Sequence, residues 1–187
     1  MNKIYIALFL IFALLICLPA CEQKIEENPE FEILESLCNN DYSSYSISIV
    51  IESSKGTLTE NYAVAVNEGD YTVNYRVERF SEFTANQDGI SVPSNYITVN
   101  EGTLTGEEAA SYKLPTFKFS YSCLESEKII GRTFKANITS LEKFMGKALD
   151  EQEASVVVEY TASSVKTIEI TYTTQNNTSV QITYTFN

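Results

Sequence analysis

The feature that most constrains this chain is a two-residue alternation of apolar and polar side chains, which starts at Tyr42 and recurs to the C-terminus. Tyr45, Ile47, Ile49 and Ile51 alternate with Ser44, Ser46, Ser48 and Val50. Leu58, Tyr62, Val64 and Val66 alternate with Thr59, Asn61, Ala63 and Ala65, and Tyr71, Val73, Tyr75 and Val77 with Thr72, Asn74, Arg76 and Glu78. A period of two sends successive side chains to opposite faces of a pleated strand, so each stretch reads as a strand with one wet face. Ser53-Ser54-Lys55-Gly56 and Asn67-Glu68-Gly69-Asp70 carry turn chemistry between them. Three strands joined by tight turns make an antiparallel meander.

The rest of the chain is read by the same two periods. Residues 81–89 read as a loop, followed by weaker strands at 90–92 and 96–99 and a turn at Asn100-Glu101-Gly102. Residues 107–112 suit one helical turn or a loop. Phe117, Phe119 and Tyr121 read as a strand reaching Cys123, residues 125–128 as a polar turn, and Phe134, Ala136 and Ile138 as the next strand. A closing meander follows at Val156, Val158, Tyr160, then Ile168, Ile170, Tyr172, then Val180, Ile182, Tyr184, Phe186. Helical spacing appears twice. Asn28-Pro29 is a cap followed by a first-turn proline, with Phe31, Leu34 and Cys38 on one stripe. Ser140 caps a helix expected over 141–149, in which Gly146 is a weak point worth about 1 kcal/mol. The sum is an α+β chain, mostly β: a curved antiparallel sheet with two or three short helices, or alternatively a β-sandwich.

The N-terminus carries an address. Met1-Asn2-Lys3 is a short positive start, and residues 4–18 are an unbroken apolar run of about 22 Å as a helix, short for a membrane span. An uncleaved membrane helix is the competing reading, opposed by that length and by the abrupt switch to Glu22-Gln23-Lys24-Ile25-Glu26-Glu27. Leu18-Pro19-Ala20-Cys21 resembles the lipobox of bacterial lipoproteins. The resemblance implies that Cys21 is the lipid attachment site and the first mature residue. It also implies palmitate-type acyl chains that hold the protein on the extracytoplasmic face of a cell membrane or outer membrane. The expected organisation is therefore a signal peptide at 1–20, an acylated cysteine and acidic tether at 21–28, and a single β-rich domain at 29–187. Removing residues 1–20 deletes Lys3 and no acid, taking the formal charge from −12 to −13. An acidic chain without a basic cluster excludes nucleic-acid binding and keeps the body off anionic lipid headgroups.

The order of elements, a helix, a meander, a strand pair, a Phe-rich strand, a short helix and a closing meander, resembles the LolA/LprG-like lipoproteins. That resemblance implies an unclosed half-barrel whose hollow, plugged by helices, receives acyl chains. The expected apolar ligand face is Phe117, Phe119, Phe134, Leu141, Phe144 and Met145. The plainer reading of the same side chains, with Tyr45, Tyr62, Tyr160, Tyr172 and Tyr184, is a filled core with phenols at its rim.

Catalysis finds little support. Histidine is absent, which removes the commonest acid, base and metal ligand. Ser140-Leu-Glu-Lys143 and Ser163-Ser-Val-Lys166 fit Ser-x-x-Lys but lack the companion motifs of penicillin-recognising enzymes. Ser140 serves as a cap, Ser163 as a turn residue, and Glu107-Glu108 as a solvated face. No metal, cofactor or catalytic residue is expected. With Cys21 lipidated and Cys17 removed, Cys38 and Cys123 remain. They would either pair, closing a loop of 123 − 38 = 85 residues worth about 4 kcal/mol, or stay as two buried thiols. The functional expectation is a lipid-anchored binding protein for lipid or another apolar ligand. The alternative is a non-catalytic module that contacts another envelope protein.

Overall fold

The fold is given by a computed structural model, which describes residues 28–87, 90–146 and 151–187. The signal, the lipobox and Cys21 lie outside these residues. Nine strands form one antiparallel sheet: β1 (Ser44–Ser53), β2 (Gly56–Asn67), β3 (Asp70–Gln87), β4 (Ile90–Thr105), β5 (Leu124–Ile130), β6 (Thr133–Ile138), β7 (Glu151–Tyr160), β8 (Val165–Thr174) and β9 (Ser179–Phe186). Their order across the sheet is β4-β3-β2-β1-β9-β8-β7-β6-β5. The sheet is curved and open, with β4 and β5 at its two edges. Two meanders, β1–β4 and β5–β9, are thus joined side by side through β1 and β9, and the two-sheet sandwich is not formed.

Among the described residues, three short helices accompany the sheet: α1 (Pro29–Cys38), α2 (Gly106–Ala110) and α3 (Leu141–Met145). The start of α1 is as its sequence requires. Asn28 accepts a hydrogen bond from the Glu30 N–H at 3.0 Å, Pro29 opens the first turn, and Phe31, Leu34 and Cys38 are buried. Ser140 caps α3 by accepting the Lys143 N–H at 3.3 Å. Gly146 takes a left-handed conformation (φ 72°) and closes the helix at Met145, and the rest of the expected span, 147–149, lies outside the described residues. Glycine there terminates the helix instead of weakening it.

The alternation is realised in the register. One transverse row of the inner face runs Phe134, Val158, Ile168, Tyr184, Ile47, Tyr62, Tyr75, Gly102 across β6-β7-β8-β9-β1-β2-β3-β4. The matching outer row runs Lys135, Val157, Glu169, Thr183, Ser48, Asn61, Arg76, Glu101. One face is therefore apolar and aromatic and the other mostly Ser, Thr, Asn and charge.

Four expectations fail. Residues 81–87 of the expected loop and the turn at 100–102 are strand, paired from Thr72↔Thr105 to Gln87↔Ile90, while 88–89 lie outside the described residues. Gly102 had suggested a turn, but it sits opposite Tyr75, where an added Cβ would lie 2.8 Å from the Tyr75 hydroxyl oxygen. The polar turn at 125–128 is part of β5, bulged between Glu125 and Lys128. Residues 117–121 are not a strand. They belong to an irregular segment, 111–123, that crosses the inner face of the sheet from the β4 side to the β5 side.

Candidate functional site

The crossing segment is what organises the inner face. Tyr112 stacks on Tyr62 of β2 (centroids 4.5 Å apart), Phe117 meets Tyr184 of β9 edge-on at 5.5 Å, and Phe119 meets Phe134 of β6 at 5.6 Å. Its backbone has no neighbouring strand to bond, so side chains substitute. Asn39, just past α1, donates through Nδ2 to the Phe117 carbonyl and accepts the Phe117 N–H through Oδ1, both at 2.8 Å. The Glu35 carboxylate accepts the Phe119 N–H at 3.2 Å, and the Phe144 carbonyl accepts the Lys118 N–H at 2.9 Å. A buried amide left unpaired costs about 1–3 kcal/mol, so these partners let extended backbone lie over an apolar face.

All six residues expected to line a ligand face are brought together here. Phe117, Phe119, Phe134, Leu141, Phe144 and Met145 are each at most 3 % exposed. Their rings interlock with those of α1 and β9 in a continuous chain, Phe31–Phe134–Phe119–Phe144–Phe117–Tyr184, with centroids 5.5–5.9 Å apart. Such edge-on and tilted contacts are those of a closed aromatic core. These side chains make the plug, and the plug is filled.

Of the two readings of Cys38 and Cys123, a bridge or two buried thiols, the structure has the second: both are free and buried. Cys123 Sγ turns into its own loop and donates to the Lys118 and Ser120 carbonyls, each at 3.4 Å. Cys38 completes the buried stripe of α1, where burial, and then the Glu35 charge, pushes its thiol far above the ordinary range. The Cys38 sulfur is therefore not an activated nucleophile.

One of several concavities of ligand-like proportions lies beside the plug. A cleft of about 500 Å³ opens where α1 hands over to β1, near the β2–β3 turn and the start of the crossing segment. Its sheet wall is Tyr45, Val66 and Tyr71, its opposite wall Leu114 and Pro115, and its mouth Asp41, Asn40 and Lys113. This volume falls within the ~300–1,000 Å³ of small-molecule sites. Two phenols hold its frame. Tyr45 donates to the Tyr112 carbonyl at 2.8 Å, and Tyr42 donates to the Leu37 carbonyl at 2.8 Å. Burial, and secondarily Tyr71, pushes the Tyr45 hydroxyl up to about 12, while burial also raises that of Tyr42. Both therefore stay neutral and structural at ordinary pH. Among the described lining residues, Asp41 and Lys113 carry charge, and both are exposed.

Sequence reasoning missed this cleft because its lining comes from three places distant in the chain, 38–45, 66–71 and 113–116. Tyr45 and Tyr71 were seen as aromatic strand residues, whereas Leu114-Pro115 and Lys113 carried no periodic signal at all. Among the described residues, no group of three or more His, Cys, Asp or Glu could hold a metal ion. Glu107 and Glu108 are exposed on the first turn of α2. No protein-family model matches the chain, and no curated protein matches it.

Proposed function

We propose that this chain is a lipid-anchored, non-catalytic binding protein on the extracytoplasmic face of a bacterial membrane. In this reading it accepts an apolar-tailed ligand in the tyrosine cleft and has a LolA-like half-barrel as its scaffold. The observation that carries it is the cleft itself: apolar walls from Tyr45, Val66, Tyr71, Leu114 and Pro115 beside a mouth bearing the exposed charges Asp41 and Lys113. An amphiphile with a polar head matches that distribution, its tail between Tyr71 and Leu114 and its head toward Asp41 and Lys113. The ligand is placed beside the phenylalanine plug, whose rings already fill the space that a half-barrel carrier would leave open. The lipobox at Leu18-Pro19-Ala20-Cys21 supports the anchor, since several acyl chains at ~0.8 kcal/mol per buried methylene hold stably where one does not.

Titration with a fluorescent fatty acid tests the ligand and two substitutions locate it. Leu114→Asp should abolish saturable binding while leaving the urea midpoint close to wild type. Phe144→Ala should cost about 3–5 kcal/mol, as buried Phe truncations do, yet leave probe affinity of the folded protein unchanged. No saturable binding by the wild type would end this reading. For the anchor, Cys21→Ala should stop incorporation of labelled palmitate; a variant that still takes the label and stays with membranes would refute it.

A further inference from the structure

The two edges of the sheet are treated differently by the sequence. Both expose large hydrophobic side chains: Ile97 (65 % exposed) and Val99 (48 %) on β4, Ile129 and Ile130 on β5. β5 is short, bulged, and carries Glu125, Glu127 and Lys128, the devices by which edge strands resist pairing. β4 is 16 residues long and in unbroken register with β3. From Ile97 to Thr105 it holds a single charged side chain, Glu101, which Arg76 already engages at 3.2 Å.

The register shows which backbone groups this edge presents. The two-residue turn Glu68-Gly69, with φ of 51° and 92°, makes Asn67↔Asp70 the hydrogen-bonded pair that closes the β2–β3 hairpin. Pairs then alternate, so the even-numbered residues of β3 bond to β2 and the odd-numbered ones to β4. Arg79, Val77, Tyr75 and Val73 therefore bond Thr98, Asn100, Gly102 and Leu104. Ile97, Val99, Glu101 and Thr103 are left with N–H and C=O directed away from the sheet. Their side chains share the outer face with Phe80, opposite Ile97, and Glu78, opposite Val99.

We propose that β4 between Ile97 and Thr103 is a docking edge for an extended, cationic segment of another protein, which joins the sheet as a tenth strand. This goes beyond the ligand reading and does not depend on it. A row of outward backbone donors and acceptors selects an extended backbone, and Ile97, Val99 and Phe80 select apolar residues at alternate positions of the incoming strand. Charge selects the rest. Glu78 and Glu101 flank the row around the single Arg76, and a chain of net charge −12 attracts a basic segment and repels a second copy of itself.

The test uses the full-length chain and labelled nonapeptides in which Val or Ile alternates with Lys or Thr, read by fluorescence anisotropy. Saturable binding is expected, and N-methylation of alternate peptide nitrogens on the pairing side should abolish it. Val99→Pro removes only an outward N–H, which proline is allowed to lack at an edge, and should weaken binding at least tenfold with an unchanged urea midpoint. Ile97→Lys should do the same through charge, and it carries the test if the proline variant fails to fold. Equal binding by wild type and the folded edge variants, or no saturable binding of any peptide in the set, overturns the proposal. Sedimentation of the wild type as a dimer that Ile97→Lys dissociates would also overturn it, by assigning the edge to a second copy.

Discussion

Asn39 carries more of this fold than its polar, exposed position past a helix end suggests. Its side-chain amide makes a two-bond bridge to the backbone of Phe117, 78 residues away. It thereby takes the place of the strand that a paired β-segment would have had. Asn39→Ala leaves a half-buried N–H and C=O without partners, and each such loss costs about 1–3 kcal/mol. A fall of roughly 2–4 kcal/mol in unfolding free energy by urea is expected. Asn39→Asp, which keeps the acceptor and loses the donor, should fall between. A loss below 0.5 kcal/mol for the alanine variant would mean that water replaces the amide at no cost. No sequence signal marks Asn39 for this task, because its partner lies 78 residues away on an element with no local relation to it.

Elements were legible where periodicity and turn chemistry agreed, and misread where either stood alone. β1, β2 and the closing meander β7–β9 follow from alternation bounded by turns, and α1 from its cap, proline and stripe. Phe117, Phe119 and Tyr121 alternate because the backbone is extended, and extension is all that a period of two reports. Whether an extended segment has strand neighbours depends on residues such as Glu35 and Asn39, so the crossing segment was indistinguishable from a strand. The candidate cleft was still less legible, since Tyr71, Leu114 and Lys113 meet only after both meanders and the crossing segment are in place. At this same scale the thiols give a clean check. α1 is held to the crossing segment by hydrogen bonds and packing, with no covalent staple between Cys38 and Cys123. Thiol counting on mature protein unfolded without reductant should find two reactive groups for these positions, both slow to react in the native state. Finding none would restore the bridge.

At the scale of the molecule, one curved sheet is closed on one side by α1, the crossing segment and α3, and two tyrosines tie that cover down. Tyr45 of β1 donates to the Tyr112 carbonyl at 2.8 Å, and Tyr160 of β7 donates to Glu30 of α1 at 2.6 Å, beneath Arg132. The partners are 67 and 130 residues apart in the chain, so each bond joins parts that only the complete fold brings together. Burial, and then Tyr71, pushes the Tyr45 hydroxyl up to about 12; burial, and then the Glu30 bond, does the same for Tyr160. Folding thus favours the protonated phenols over an ordinary value of 10.0. Their contribution is whole below pH 10, and it is lost as pH rises toward 12, where the unfolded chain ionises and the folded one resists. The urea midpoint should be level from pH 8 to 9 and fall steadily from about 10 to about 12. A Tyr45→Phe, Tyr160→Phe double variant cannot ionise at these positions and should show a shallower fall from a lower starting stability. Equal slopes for the two proteins would place the alkaline sensitivity elsewhere and remove these phenols as the latches of the cover.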